Sequence, residues 1–398
     1  MTWRDRIHTL DIALRATAKR VQSASGPRAK SPVHLFLAIT DHFEPQVHRP
    51  ERHVARRRLE QWLREYPLIA ARHRDHDGFS PAHSFFYPWD EYDEWEFSHL
   101  AELCAAGWGE IEFHLHHRDD TEATLRQKLR EGIETYRAHG ALSSWPSGRP
   151  AWGFIHGNFA LANARCEGGT NFCGVNNELA ILEQEGCYAD FTFPAWRTTA
   201  QPRQMNSIYY ASGDPTCPKC YDRGVPAQHR APRASGVVLV EGPLVPHLKP
   251  ARGGLLRPGM DDGTLTANHC YRPERLDRWV RAGVHVQGRP DWLFIKLSCH
   301  GAGDGDREAL LGRDLEALFS DAEARYNDGE QFRLHYVTAR EMYNLIAAAE
   351  AGLEGEPGEL RDWLLPSPHP HSRRAAAQRK GRSRRGPLAK RPIDAEET

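Results

Sequence analysis

From residue 33 to about residue 350, short apolar runs of strand character alternate with longer amphipathic runs of helical character. The strand-like runs are 33–40 (VHLFLAIT), 83–88 (HSFFYP), 110–116, 152–157, 188–194, 237–241, 293–299 and 332–337. The helix-like runs cover about 51–76, 94–106, 121–139, 174–186, 272–283, 306–326 and 338–351. Strands this short and helices this long are what the two periodicities predict. Thr121 and Thr338 each precede a charged amphipathic run and read as helix starts. Alternation at this spacing implies an α/β fold of parallel strands joined by right-handed helical crossovers. With this many units, a closed or nearly closed barrel is favoured over an open sheet.

At 398 residues the chain suits one large domain with insertions, or two smaller ones. Residues 1–30 are basic and amphipathic, with Leu10, Ile12, Leu14 and Val21 set among Arg and Lys. This segment reads as a surface helix packed on the domain, with a peripheral membrane contact as the rival reading. Residues 31–355 would form the barrel. Within them, 196–271 is rich in Pro, Gly and Arg and holds one convincing strand, so an insertion acting as a lid over the mouth is expected. Residues 356–398 lose apolar content and include the basic run SRRAAAQRKGRSRRGPLAKR (372–391), expected to be a disordered tail making at most weak contacts with polyanions. A formal net charge of -1 gives no overall pull toward nucleic acid or membrane. No apolar run is long enough to span a bilayer, and the N-terminus lacks a secretory h-region. The eight scattered cysteines read as reduced thiols, which points to the cytoplasm.

Chemistry concentrates where apolar runs stop. In Glu110-Ile111-Glu112-Phe113-His114-Leu115-His116-His117, alternation puts His114 and His116 on one face, with His117 at the exit. The run 33–40 ends directly in Asp41-His42. Further polar strand ends are Ile155-His156-Gly157-Asn158, Asp190–Pro194 and Ser298-Cys299-His300-Gly301. Open α/β folds and α/β barrels place their active sites at such C-terminal strand ends. Clustered imidazoles beside a carboxylate hold divalent metals, so His42, His114, His116 and His117 are candidate ligands. A metal with an open position activates water, and Asp41 could take its proton; the roles of Asp41 and His42 could also be exchanged. His300 is the candidate general acid. His156 and Asn158 are candidate substrate contacts. Cys217-Pro218-Lys219-Cys220 has knuckle spacing but could complete a site with Cys166 and Cys173 only if those loops meet. Trp89, Tyr92, Trp95, Trp196, Tyr209 and Tyr210 could stack on sugars or pack the rim. No Walker loop, GxGxxG or GxSxG motif supports nucleotide or serine-hydrolase chemistry.

The order Thr40-Asp41-His42, a His cluster closing a middle strand and a late strand ending in His300 resembles the polysaccharide deacetylase superfamily (carbohydrate esterase family 4, the NodB-homology fold). The segments FIHGNFALAN (154–163) and GVNNELAILEQEGCYADFTFPA (174–195) resemble a bacterial branch linked to surface-polysaccharide loci. The likeness spans about residues 33–345. It implies a distorted (β/α) barrel of about seven parallel strands and a Zn²⁺ or similar ion held by one Asp and two His. It also implies a base at Asp41, a metal ligand at His114 and an acid at His300. The chain departs from the family's pattern in three places: the second Asp of the usual pair is His42, the position four after His114 is Arg118, so His116 or His117 must stand in, and the usual Arg-Pro-Pro segment is not evident. The activity implied is metal-dependent N-deacetylation of an amino sugar in a polysaccharide or glycan precursor. The alternatives are another metal-dependent hydrolase on a related barrel, such as a glycosidase pairing Asp41 with Glu112, Asp119 or Asp190, and a non-catalytic glycan-binding or assembly protein on a degenerate deacetylase fold.

Overall fold

The computed structural model describes residues 10–18, 31–167, 169–250, 256–370 and 372. Along the chain the strands are β1 (Val33–His42), β2 (His83–Pro88), β3 (Gly109–Leu115), β4 (Ser143–Ser144), β5 (Pro150–His156), β6 (Cys166–Glu167), β7 (Thr170–Asn171) and β8 (Cys187–Asp190). They continue with β9 (Ser207–Ala211), β10 (Val225–Pro226), β11 (Val237–Glu241), β12 (Val245–Pro250), β13 (Leu256–Asp261), β14 (Thr264–Leu265), β15 (Trp292–Cys299) and β16 (Phe332–Tyr336). The helices are α1 (residues 10–18), α2 (Arg52–Ala70), α3 (Glu94–Ala105), α4 (Glu122–Ala138), α5 (Glu178–Gln184), α6 (Pro273–Ala282), α7 (Asp304–Leu310), α8 (Arg313–Tyr326), α9 (Ala339–Glu350) and α10 (Pro357–Leu360).

The main sheet is larger than the seven strands expected: twelve, in the order β10-β9-β11-β8-β5-β3-β2-β1-β15-β14, with β16 also on β1 and β4 on β5. The central pairings are parallel, and β9 and β10 join antiparallel at one end. Strands covered on both faces read as nearly continuous apolar runs, as VHLFLAIT does. Leu35, Leu37 and Ile39 face the outer layer with Phe85, Phe113 and Phe154, against Trp62 of α2, Phe97 of α3, Leu129 of α4 and Leu318 of α8. Phe36, Ala38, Phe86, Ile155 and Phe294 face the inner side, against Met342, Tyr343 and Ile346 of α9.

A single side chain shows that the sheet curls. Lys296 of β15 donates from Nζ to the carbonyl of Phe191, just past β8, at 2.8 Å. These strands are five steps apart in the sheet order, about 24 Å if the sheet were flat. The inner face is therefore concave. Helix α9, every residue of which is buried, fills the end of this concavity nearest the strand N-termini. Arg340 pairs with Glu110 at the start of β3, and the Ala339 amide donates to Ser84 Oγ at the start of β2.

Both predicted helix starts are capping boxes, Thr121 with Thr124 and Thr338 with Glu341. The expected helix 306–326 is broken into α7 and α8 at Gly312. The segment 196–271 differs most from expectation. It lengthens the main sheet at one end through β9–β11 and at the other through β14, and it makes the separate hairpin β12–β13. The chain also packs past the boundary expected at 355: Leu360, Leu364 and Leu365 join the inner cluster, and Arg361 is buried on Asp75 at 2.7 Å. In α1, Ile12 and Ala16 pack against Met205, Leu244 and Met260. The rest of 1–30 and the basic run 373–391 lie outside the described residues. Among the described residues no helix is long and apolar enough to cross a membrane.

Candidate metal centre

Strand parity sorts the predicted site residues onto two sides of the sheet. His42, His114 and His300 continue the inner-face series of β1, β3 and β15: His42 ends β1, His114 is the last residue but one of β3, and His300 follows β15 directly. Their rings meet there. His42 stacks on His300 with centroids 4.5 Å apart and meets His114 edge-on at 4.9 Å; His114 and His116 are 4.6 Å apart. Glu44, two residues beyond His42, supplies the carboxylate. Its Oε1 lies 3.0 Å from His114 Nε2 and 3.1 Å from His116 Nε2. His116 is braced from behind by Asp90, which accepts its backbone N–H at 2.8 Å and sits 3.2 Å from Nδ1. The His116 ring presses so closely on Gly157 that a Cβ there would come within 2.1 Å of it, so a side chain at 157 would displace the ring.

The donors suit a cation. His114 Nδ1 lies 2.8 Å from the Ile155 carbonyl, an acceptor, so Nδ1 carries the proton and Nε2 presents a lone pair toward Glu44. Two acceptors 3.0 Å apart require a proton or a metal between them. His42 Nδ1 is buried with no hydrogen-bond partner. One donor atom each from His42, Glu44 and His114 lies within 4.8 Å of the others, so small side-chain rotations would bring all three onto one ion with bonds of about 2.1 Å. Burial, with the neighbouring His300 and His114, holds His42 well below the usual imidazole range. Burial pushes the Glu44 carboxyl up, but the imidazoles of His114 and His116 against its oxygen outweigh it and hold the group well below the usual carboxylate range. Burial also opposes charge on His116, yet Asp90 and Glu44 raise it to about 10. His116 and His300 are half-buried, so this side of the cluster reaches solvent.

Asp41 is not brought to these imidazoles. Strand β1 continues through His42, and consecutive residues of a strand face opposite ways. Asp41 therefore lies on the outer face, fully buried, with Oδ1 accepting the Gly301 N–H at 2.7 Å and Oδ2 2.9 Å from His83 Nε2. Glu112 faces inward, where it accepts from Tyr188 and the Gly153 N–H. Asp190 accepts from Thr192 and shares the inner side with Lys296, and Asp119 is exposed. None of the three forms a carboxylate pair with Asp41. His117 and His156 are also on the outer face, where Glu178 lies between them, and Cys173 completes that group. Asn158 donates to the His117 carbonyl at 3.2 Å and accepts from Arg165. Arg118 is exposed. A further group, Asp75, Asp77 and His335, already holds the Arg361 guanidinium. Among the described residues no such group includes Cys217 or Cys220. Tyr209 and Tyr210 are core residues, and Trp89, Tyr92 and Trp95 pack against the outer cluster.

The residues that sequence reading missed are Glu44, Asp90 and Glu178, and Cys173 was weighed only with Cys166, Cys217 and Cys220, not with His117 and His156. Glu44 shares parity with His42 and was the accessible signal; the others arrive from loops and a helix start.

No protein-family model matches the chain, and no curated protein matches it. Among solved structures, a "putative polysaccharide deacetylase from Mycobacterium smegmatis" is similar at 13% identity and a TM-score of 0.40, over 81% of this chain and 95% of that one.

Proposed function

We propose that the chain is a metal-dependent hydrolase. Its divalent ion, zinc by donor chemistry, would be held by His42, Glu44 and His114 at the open end of the curled sheet. The observation that carries this reading is the convergence of a paired carboxylate, an orphaned imidazole nitrogen and a lone pair aimed at that carboxylate. When bound, such an ion acts as a Lewis acid that lowers the pKa of water and polarises an acyl oxygen. The chain's own residues supply the rest. The Ile155 carbonyl fixes the His114 tautomer. His116, gripped by Asp90, carries a proton on the solvent side. His300, half-buried over His42, is placed to protonate a leaving amine. Asp41 takes a positioning role from the outer face: by holding the Gly301 amide it sets the turn that carries His300.

The substrate class rests on the sequence resemblance: an N-acylated amino sugar in a polysaccharide or glycan precursor, deacetylated at the amide. The test is metal content together with acetate release from N-acetylated amino-sugar oligomers, for the wild type, Glu44→Gln and His114→Ala. Each variant should lose one ion per chain and at least about 100-fold in rate. Undiminished metal in His114→Ala would remove the cluster from metal binding. Retained metal without acetate release in the wild type would remove the substrate.

A further inference from the structure

On the outer face, His117, His156, Cys173 and Glu178 form a second donor group, separated from the first by the parity of β3 and β5. His117 follows β3, His156 ends β5, Cys173 lies in the loop after β7, and Glu178 is the first residue of α5. All four are buried. His117 Nε2 is 3.0 Å from Glu178 Oε1, and His156 Nε2 is 3.8 Å from the same oxygen. Cys173 Sγ is 3.3 Å from Glu178 Oε2. The two rings have centroids 4.5 Å apart.

We propose that these four side chains are a closed, structural zinc site. The spacings match the edges of a tetrahedron around an ion with bonds of about 2.0–2.3 Å. One thiolate, two imidazoles and one carboxylate is a donor set that suits Zn²⁺. Two further observations point to a ligand. His156 Nε2 is fully buried, aims into the group and has no hydrogen-bond partner. The surroundings also provide the outer contacts that metal ligands need. Asp120 Oδ2 lies 3.0 Å from His117 Nδ1. The Val175 N–H donates to Cys173 Sγ at 3.4 Å, reached through Gly174 at φ +100, a turn that a Cβ would close by striking the Asp120 backbone at 2.4 Å. The Ala162 N–H donates to Glu178 Oε2 at 2.6 Å. Ligation through His156 Nε2 places the ring proton on Nδ1, which otherwise accepts the Asn158 N–H at 3.2 Å, so that amide turns away as the site fills.

Four protein ligands and full burial leave no open position, which separates this site from a catalytic one. Its task is to pin the segment between β5 and α5. That segment carries Gly157, against His116, and Phe159, 5.8 Å from His42. The outer ion would thus shape one wall of the inner cluster.

The proposal does not depend on the hydrolase reading, and sulfur makes the two sites separable. The full-length protein loaded with Co²⁺ should show thiolate-to-cobalt charge-transfer absorption in the near ultraviolet. The band should survive in His114→Ala and Cys217→Ser and vanish in Cys173→Ser. Its absence from the wild type, or its persistence in Cys173→Ser, overturns the site. If Cys173→Ser does not fold, zinc-edge X-ray absorption of His114→Ala protein decides. One sulfur at about 2.3 Å supports the site; no zinc, no sulfur, or two sulfurs overturns it. If the inner cluster binds no metal, the wild type holds one ion per chain, retained in His114→Ala.

Discussion

Glu96 illustrates how burial sets the chemistry of a single residue. It is fully enclosed on α3, with the Tyr87 hydroxyl donating at 3.1 Å and Gln46 donating to its other oxygen. Burial pushes its carboxyl up to about 7; the Tyr87 and Gln46 hydrogen bonds pull the other way, and the Asp93 charge adds to the rise. A carboxyl whose folded pKa exceeds its unfolded value holds its proton more tightly when folded. Its contribution is complete below about pH 4 and is lost as pH climbs through about 7. Glu96→Gln, which mimics the protonated form, should flatten the decline in stability between about pH 5 and about pH 8, gaining about 2 kcal/mol at the upper end. Parallel urea midpoints for wild type and variant across that window would show that Glu96 is ionised in the fold. At this scale the sequence was partly readable. Alternation alone put His114 and His116 together. The same rule separates Asp41 from His42, but VHLFLAIT ends its apolar run at Thr40, and the strand continues two residues further. Polar strand ends pointing into binding groups lack the hydrophobic signal that marks a strand, so nothing in the sequence shows that the alternation of β1 carries on past Thr40.

Among the elements, the two capping boxes make a controlled pair. Thr121 starts α4 at the surface, and its loss should cost about 1 kcal/mol. Thr338 starts α9 in full burial and also donates to Glu110 at 2.6 Å. Thr338→Ala removes the cap and leaves a buried carboxylate oxygen short of a donor, so a loss of about 3 kcal/mol is expected. Equal small losses in urea denaturation would show that the Glu110 bond contributes nothing. Both starts were legible from Thr and the charged run behind it, and strands 83–88 and 237–241 fall at their predicted limits. The hairpin β12–β13 was not legible. VPHLKP and LRPGMD carry Pro and Gly, which argue against a central strand. A two-stranded ribbon has only edges, so those residues are tolerated there. The grouping of Cys173 and Glu178 with the imidazoles was hidden for another reason: they reach His117 and His156 through a loop and a helix start, and no period in sequence links such positions.

For the whole molecule, Lys296 is the cross-brace of the curl. Burial pushes its ammonium down to about 8, against the pull of Asp190 and Glu241. Both of those carboxyls are themselves raised to about 7 by burial. Lys296→Met strips the donor from the Phe191 and Phe193 carbonyls and leaves the two carboxyls without their cation. The expected cost is about 3–5 kcal/mol at pH values above 7. It should be smaller near pH 5, where Asp190 and Glu241 hold protons. A penalty independent of pH would mean that the carboxyls do not respond to the lysine. Helix α9, seated at the opposite end of the curl from His42 and His114, gives the molecule a floor. On the proposed hydrolase reading, a glycan chain would meet the imidazoles from the side of the half-buried His116 and His300, lying across that opening rather than being threaded past the buried helix.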